Sequence, residues 1–114
     1  MVFVKDEQLP FAKEIEQLQK KAIKELYQKH HIDDLVKSCF EDLTKFVKEN
    51  PFKNEYDFAF YHDDEDMQKY YLGDFDTAVN LLVIEFKKEG FRVNVESNCG
   101  KRIVYLEWDL KWII

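Results

Sequence analysis

The sequence predicts an α+β domain: an N-terminal two-helix segment, then a β-α-β-β run whose small antiparallel sheet packs against the helices. Three observations predict it. Apolar residues recur at spacings of three and four through the first fifty positions, the period of one face of a helix. Tyr56-Asp57-Phe58-Ala59-Phe60-Tyr61 then switches to a period of two, and two further alternating stretches flank the turn-forming Ser97-Asn98-Cys99-Gly100. With 114 residues, 46% of them apolar, a single domain over residues 1–114 with one core is the expectation.

The first helix is expected to start at Pro10, because proline suits a first helical position whose N–H has no partner anyway. From there Phe11, Ile15, Leu18, Ala22 and Leu26 share one face, and Lys13, Glu16, Lys20, Lys24 and Gln28 lie opposite, an amphipathic helix of about five turns. The stripe breaks at Lys29 and Asp33. A second stripe, Leu35, Val36, Cys39, Phe40, Leu43, Phe46 and Val47, follows Asp33 and Asp34, whose charges suit a helix N-terminus. Two helices joined around His30-His31-Ile32 are therefore expected; no Gly or Pro enforces that turn, so one long bent helix is the alternative. Asn50-Pro51 closes the helical region.

Tyr56, Phe58 and Phe60 mark a half-buried strand. Beyond an acidic loop, Met67, Tyr70, Tyr71 and Leu72 form one amphipathic turn ended by Gly73. Asp74 or Asp76 caps the next helix, whose apolar residues Phe75, Val79, Leu82, Val83 and Phe86 are widened by Leu81 and Ile84. Gly90 holds the place of a left-handed C-cap. The closing hairpin pairs Phe91–Glu96 with Ile103–Trp108, with Asn98 and Gly100 as the residues that tolerate positive φ. Bulk on both faces of its second strand predicts a central place in the sheet or cover on both sides. Val2-Phe3-Val4 offers an extra strand, and Trp112-Ile113-Ile114 an apolar tail that must pack on this domain or on a partner.

Composition narrows the function classes. The chain carries 23 acidic against 17 basic residues, a net charge of −6, with no segregated basic face, which argues against direct nucleic-acid binding. No apolar run is long enough for a membrane span or a signal-peptide core, so a cytoplasmic protein without membrane contact is expected. Two cysteines, Cys39 and Cys99, make neither a disulfide framework nor a zinc spacing, and free thiols are expected. Gly73, Gly90 and Gly100 are isolated, so no phosphate-cradling loop exists. Glu85-Phe86-Lys87 and Glu107-Trp108-Asp109-Leu110-Lys111 resemble carboxylate-lysine nuclease pairs, but the first is helical and neither has a preceding Asp in register. His30 and His31 are assigned a surface or capping role. No catalytic residue, metal ligand or cofactor is assigned.

The densest polar feature is His62-Asp63-Asp64-Glu65-Asp66. It lacks the alternating ligands and central Gly of a calcium loop, and adjacent solvated carboxylates do not split their pKa values as an acid-base pair must. A solvated loop is the ordinary use of such a run. The functional use is an acidic recognition surface, Asp63, Asp64, Glu65, Asp66, Asp74 and Asp76 interleaved with Tyr61, Tyr70 and Tyr71, since carboxylates steer a basic partner and tyrosines supply rigid contact area. In general style the chain is similar to small acidic proteins of phages and mobile elements that act as inhibitors or immunity proteins, and its residue usage fits an AT-rich coding sequence. The leading expectation is thus a non-enzymatic domain that binds a basic, nucleic-acid-binding protein. An oligomeric structural or adaptor protein, using the exposed face of the first helix or the tail, is the alternative, and a small enzyme with a spatially assembled site comes third.

Overall fold

The computed structural model describes residues 5–111, with side chains from Phe11 onward; the Val2-Phe3-Val4 strand and the Trp112-Ile113-Ile114 tail fall outside the described residues. The order is α1 (Lys5–Lys29), α2 (Ile32–Glu49), β1 (Glu55–Tyr61), a 3₁₀ turn at Glu65–Met67, the one-turn α3 (Gln68–Tyr71), α4 (Phe75–Lys88), β2 (Arg92–Asn98) and β3 (Lys101–Glu107). This is the α+β fold expected. The sheet order is β1-β3-β2, antiparallel throughout, so β3 is central, one of the two arrangements its two-sided bulk predicts.

Register follows from the alternation. Phe58 sits opposite Val104 and Tyr56 opposite Leu106, while Val93 meets Leu106 from the other side, which puts Tyr56, Phe58, Val93, Val104 and Leu106 on one face. Against that face lie Leu35, Val36, Cys39 and Leu43 of α2 and Ala78, Val79, Leu81, Leu82 and Phe86 of α4, all buried. Phe86 stacks on Phe58 with ring centroids 5.6 Å apart and meets Phe40 at 5.8 Å, joining strand and both helices. Truncating Phe86 to Ala should cost about 3–5 kcal/mol, the range for an aromatic lost from a packed core.

The helix ends obey their sequence signals. Asp74 caps α4 by accepting from the Thr77 N–H at 3.2 Å. At the other end Gly90, at φ 94°, lets the Phe91 N–H reach the Phe86 carbonyl and its own N–H the Lys87 carbonyl, the paired bonds of a Schellman stop. In the hairpin β2 runs on through Asn98, which pairs with Lys101, so only Cys99 and Gly100 turn the chain; Gly100 takes a φ of 69°, whereas Asn98 stays extended in the ladder and does not need the positive φ expected of it.

The helix junction is a sharp corner, not a bend in one long helix. The His31 N–H tightens onto the Gln28 carbonyl at 3.2 Å, His31 takes a left-handed conformation (φ 52°, ψ 42°), and its carbonyl starts α2 by accepting from Asp34 and Leu35. A non-glycine residue there costs about 1–2 kcal/mol. What offsets it is the burial of both neighbours: Ile32 is fully enclosed, and His30, only 2% exposed, sets its Nδ1 2.6 Å from the Tyr70 carbonyl. That carbonyl can only accept, so Nδ1 carries the proton. His30 is therefore a buried link between the corner and α3, not the surface or capping residue expected.

Helix α1 departs most from expectation. It begins at Lys5, so Pro10 lies inside it, where the missing N–H deletes one backbone bond instead of filling a first-turn vacancy. From Phe11 onward only Ile23, Leu26 and Tyr27 of this helix pack against the core; every residue from Phe11 to Ala22 is exposed. The helix projects as an arm. The radius of gyration is 17.8 Å and the longest dimension 61 Å, whereas a compact chain of this length would have a radius of roughly 13 Å.

Candidate interaction surfaces

The acidic segment at residues 61–76 is less available than the sequence suggests. Tyr71 is a core residue, 1% exposed, with its ring edge-on to Phe75 at 4.9 Å, so it offers no contact area. Burial, aided by the charge of Asp64, pushes its phenol up to about 12, and the hydroxyl has no hydrogen-bond partner among the described residues. Tyr70 is half-buried, with its carbonyl committed to His30. Three carboxylates are engaged locally. Asp64 accepts from the Asp66 N–H at 3.0 Å and caps the 3₁₀ turn; the Thr77 hydroxyl and N–H hold the Asp74 carboxyl below its ordinary range; Asp76 receives Arg102 Nη2 at 2.6 Å. Gln68 braces the loop from within by donating to the carbonyls of His62 and Asp64.

What stays open is Asp63, Glu65 and Asp66, exposed and in no ion pair among the described residues. Tyr61 is also exposed, but its strand position turns it to the outer face of the sheet, where Lys101 lies 5.2 Å from its ring centroid. That outer face is polar and internally paired: the Tyr105 hydroxyl donates to Glu96 at 2.7 Å, and Arg92 forks between Glu107 at 2.6 Å and Asp109 at 2.9 Å. The nine residues expected to form one recognition surface are thus divided between a core position, a half-buried tyrosine, the outer face of the sheet, helix caps, an ion pair and a small open carboxylate cluster.

A shallow depression of about 450 Å³ at the hairpin end gathers His62, Asp74, Asp76, Cys99 and Arg102. Its chemistry is already spent on structure, since Arg102 pairs with Asp76 and His62 Nδ1 lies 3.3 Å from the Gly100 carbonyl. Among the described residues no three His, Cys, Asp or Glu side chains converge to hold a metal ion, and no helix is long and apolar enough to cross a membrane. Cys39 and Cys99 are both free, Cys39 buried and Cys99 exposed. Burial pushes the Cys39 thiol up to about 12, which makes it a poor nucleophile.

A further uncovered apolar feature is the α1 arm. Phe11 is 64% exposed, Leu18 63%, and Ile15 and Ala22 lie exposed between and beyond them on the same side. At 100° per residue this stripe is turned by about 100° from the side that Ile23, Leu26 and Tyr27 present to the core, so the body of the domain does not shade it. A shallow groove of about 380 Å³, lined by Glu14, Gln17, Leu18 and Lys21, runs along one edge of the stripe. The sequence analysis put these residues on one face together with Leu26, and of that face only Leu26 packs against the core. The residues that do reach it belong to a second set at 23, 26, 27 and 30, which has the same helical spacing and continues straight into the buried corner.

Fold and surfaces together define a small α+β domain that carries a projecting amphipathic helix. Comparison with protein-family models, with curated proteins and with solved structures finds no match in any of the three.

Proposed function

We propose that the chain is a self-associating, non-enzymatic adaptor domain whose α1 arm pairs with the arm of a second copy. One observation carries this: Phe11, Ile15, Leu18 and Ala22 line a single side of a projecting helix and stay in water. Apolar residues scattered singly over a surface need no partner, whereas a contiguous row on an exposed helix is the anatomy of a helix-pairing site. Charge favours the same place. The whole chain carries −6, so two copies repel through their bodies, but the paired stretch, residues 11–22, holds three lysines against two glutamates, so two arms meet near charge balance. The arms are the part of two like molecules that can approach without an acidic barrier.

The interface so formed is short, 12 residues or about 18 Å of helix, at the small end of specific contacts, and association in the micromolar range is expected. Sedimentation velocity from micromolar to near-millimolar concentration tests this. A concentration-dependent dimer supports the reading, and a monomer throughout removes it.

A second reading keeps the acidic recognition of a basic protein, now resting on Asp63, Glu65 and Asp66, the carboxylates left unpaired on the 61–76 segment. Its test is charge reversal at these three positions, which should abolish capture of the basic partner at physiological salt; unchanged capture removes this reading.

A further inference from the structure

We infer that the paired arms run antiparallel about a two-fold axis, with Ile15 packed on the partner's Leu18, Phe11 on the partner's Ala22, and Glu14 ion-paired with the partner's Lys21. This rests on the self-association reading and adds orientation, register and the residues that specify them.

The exposed stripe is a heptad seam. Phe11 and Leu18 are seven apart, Ile15 and Ala22 are seven apart, and the two series interleave by four and three, the spacing that keeps a seam facing a partner helix. In an antiparallel pair the two series face each other across the axis. Setting Ile15 against the partner's Leu18 then forces Phe11 against the partner's Ala22. Each outer layer combines one large and one small side chain, and each inner layer two of middle size, so the space between the helices is filled evenly. A parallel pair would stack Phe11 on the partner's Phe11 and Ala22 on the partner's Ala22, an overfilled layer and an empty one within 12 residues.

The flanking charges select the same orientation. Glu14 and Lys21 are also seven apart and line the same groove beside Leu18, one edge of the seam. In the antiparallel register this edge meets its own symmetry mate, so Glu14 lies opposite the partner's Lys21, and Lys21 opposite the partner's Glu14. In a parallel pair the edge meets the other flank instead, and Glu14 would face the partner's uncharged Gln19. Neither Glu14 nor Lys21 takes part in an ion pair within the described residues of one chain, whereas Glu16 and Lys20, on the outward side, pair with each other at 3.1 Å. Both residues that would meet a partner are thus without an ion pair among the described residues of one chain.

The test is a charge-swap cycle read by sedimentation equilibrium on the full chain, with circular dichroism confirming that each variant keeps its helix content. Glu14→Lys alone places Lys against Lys twice in the dimer, and Lys21→Glu alone places Glu against Glu twice, so each should weaken association by about tenfold. The double variant restores both pairs and leaves net charge unchanged, and should return to within about twofold of the parent. Two weakened singles and a restored double establish the register. Singles that associate like the parent, or a double that stays weak, overturn it while leaving arm pairing intact. A parent chain that is monomeric at near-millimolar concentration overturns the register and the self-association reading together.

Discussion

Leu18→Glu is the sharpest probe of the arm, because it should separate association from folding. Leu18 is 63% exposed in one chain and has no place in the core cluster, so the monomer does not need it. Fully burying a leucine is worth about 1.5–3 kcal/mol, and the part still exposed in the monomer therefore represents about 1–2 kcal/mol. A two-fold interface contains the residue twice. Removing both contributions costs about 2–4 kcal/mol, and two carboxylates set beside an apolar seam add to it, so the dissociation constant should rise at least about a hundredfold. Sedimentation equilibrium measures this loss, and urea unfolding far below the parent's dissociation constant, where the chain is monomeric, measures the rest. The expected result is a variant that no longer dimerises and unfolds at the same urea midpoint as the parent. The reasoning fails if the variant dimerises normally. It fails equally if the midpoint drops by the equivalent of about 2 kcal/mol, since Leu18 would then be a core residue of the monomer.

Other expected outcomes follow from buried groups. Tyr71→Phe removes a buried hydroxyl that has no partner and should raise thermal stability, by about 1 kcal/mol or a few degrees in calorimetry; a loss of stability would mean the hydroxyl is satisfied in solution. The same variant should also flatten the alkaline limb. Tyr71 ionises near 10 when unfolded and near 12 when folded, so the folded chain keeps its proton longer; the parent holds this stability below pH 10 and loses it as pH rises toward 12, in urea midpoints followed against pH. His30→Leu strands the Tyr70 carbonyl inside the protein and loosens the left-handed corner, and should cost about 2 kcal/mol in urea unfolding. Thiol titration under native conditions should label Cys99 at once and Cys39 only on unfolding; prompt labelling of both would contradict the packed face of α2.

The fold was legible where local chemistry and packing agree. Asp74, Gly90 and the alternation through β1 and β3 act through neighbours a few residues away, and each does in the structure what its sequence position implies. The corner between the helices was placed correctly, but its cause was hidden: His31 holds a left-handed turn only because His30 and Ile32 are buried, and that depends on α3, forty residues on. The candidate surfaces were harder to read, because periodicity reports that a face is apolar and not what covers it. Phe11, Ile15, Leu18 and Ala22 have the pattern of a core stripe, and nothing local distinguishes a core from a partner. Tyr71 failed for the converse reason: beside four acidic residues it reads as surface, yet in a one-turn helix it is the residue that points inward.

The middle strand of the sheet is also the last to be synthesised. Among the described residues β1 and β2 hydrogen-bond only to β3, so a ribosome-bound chain that has made β1, both long helices and α4 still lacks this sheet. At roughly 5–20 residues per second, Tyr61 waits about 2–10 s for Lys101 and the strand beyond it. Through that interval Tyr56, Phe58 and Phe60 form an aromatic strand with both edges open. Chaperone capture of the nascent chain should therefore concentrate on residues 55–61 and end abruptly once the hairpin has emerged.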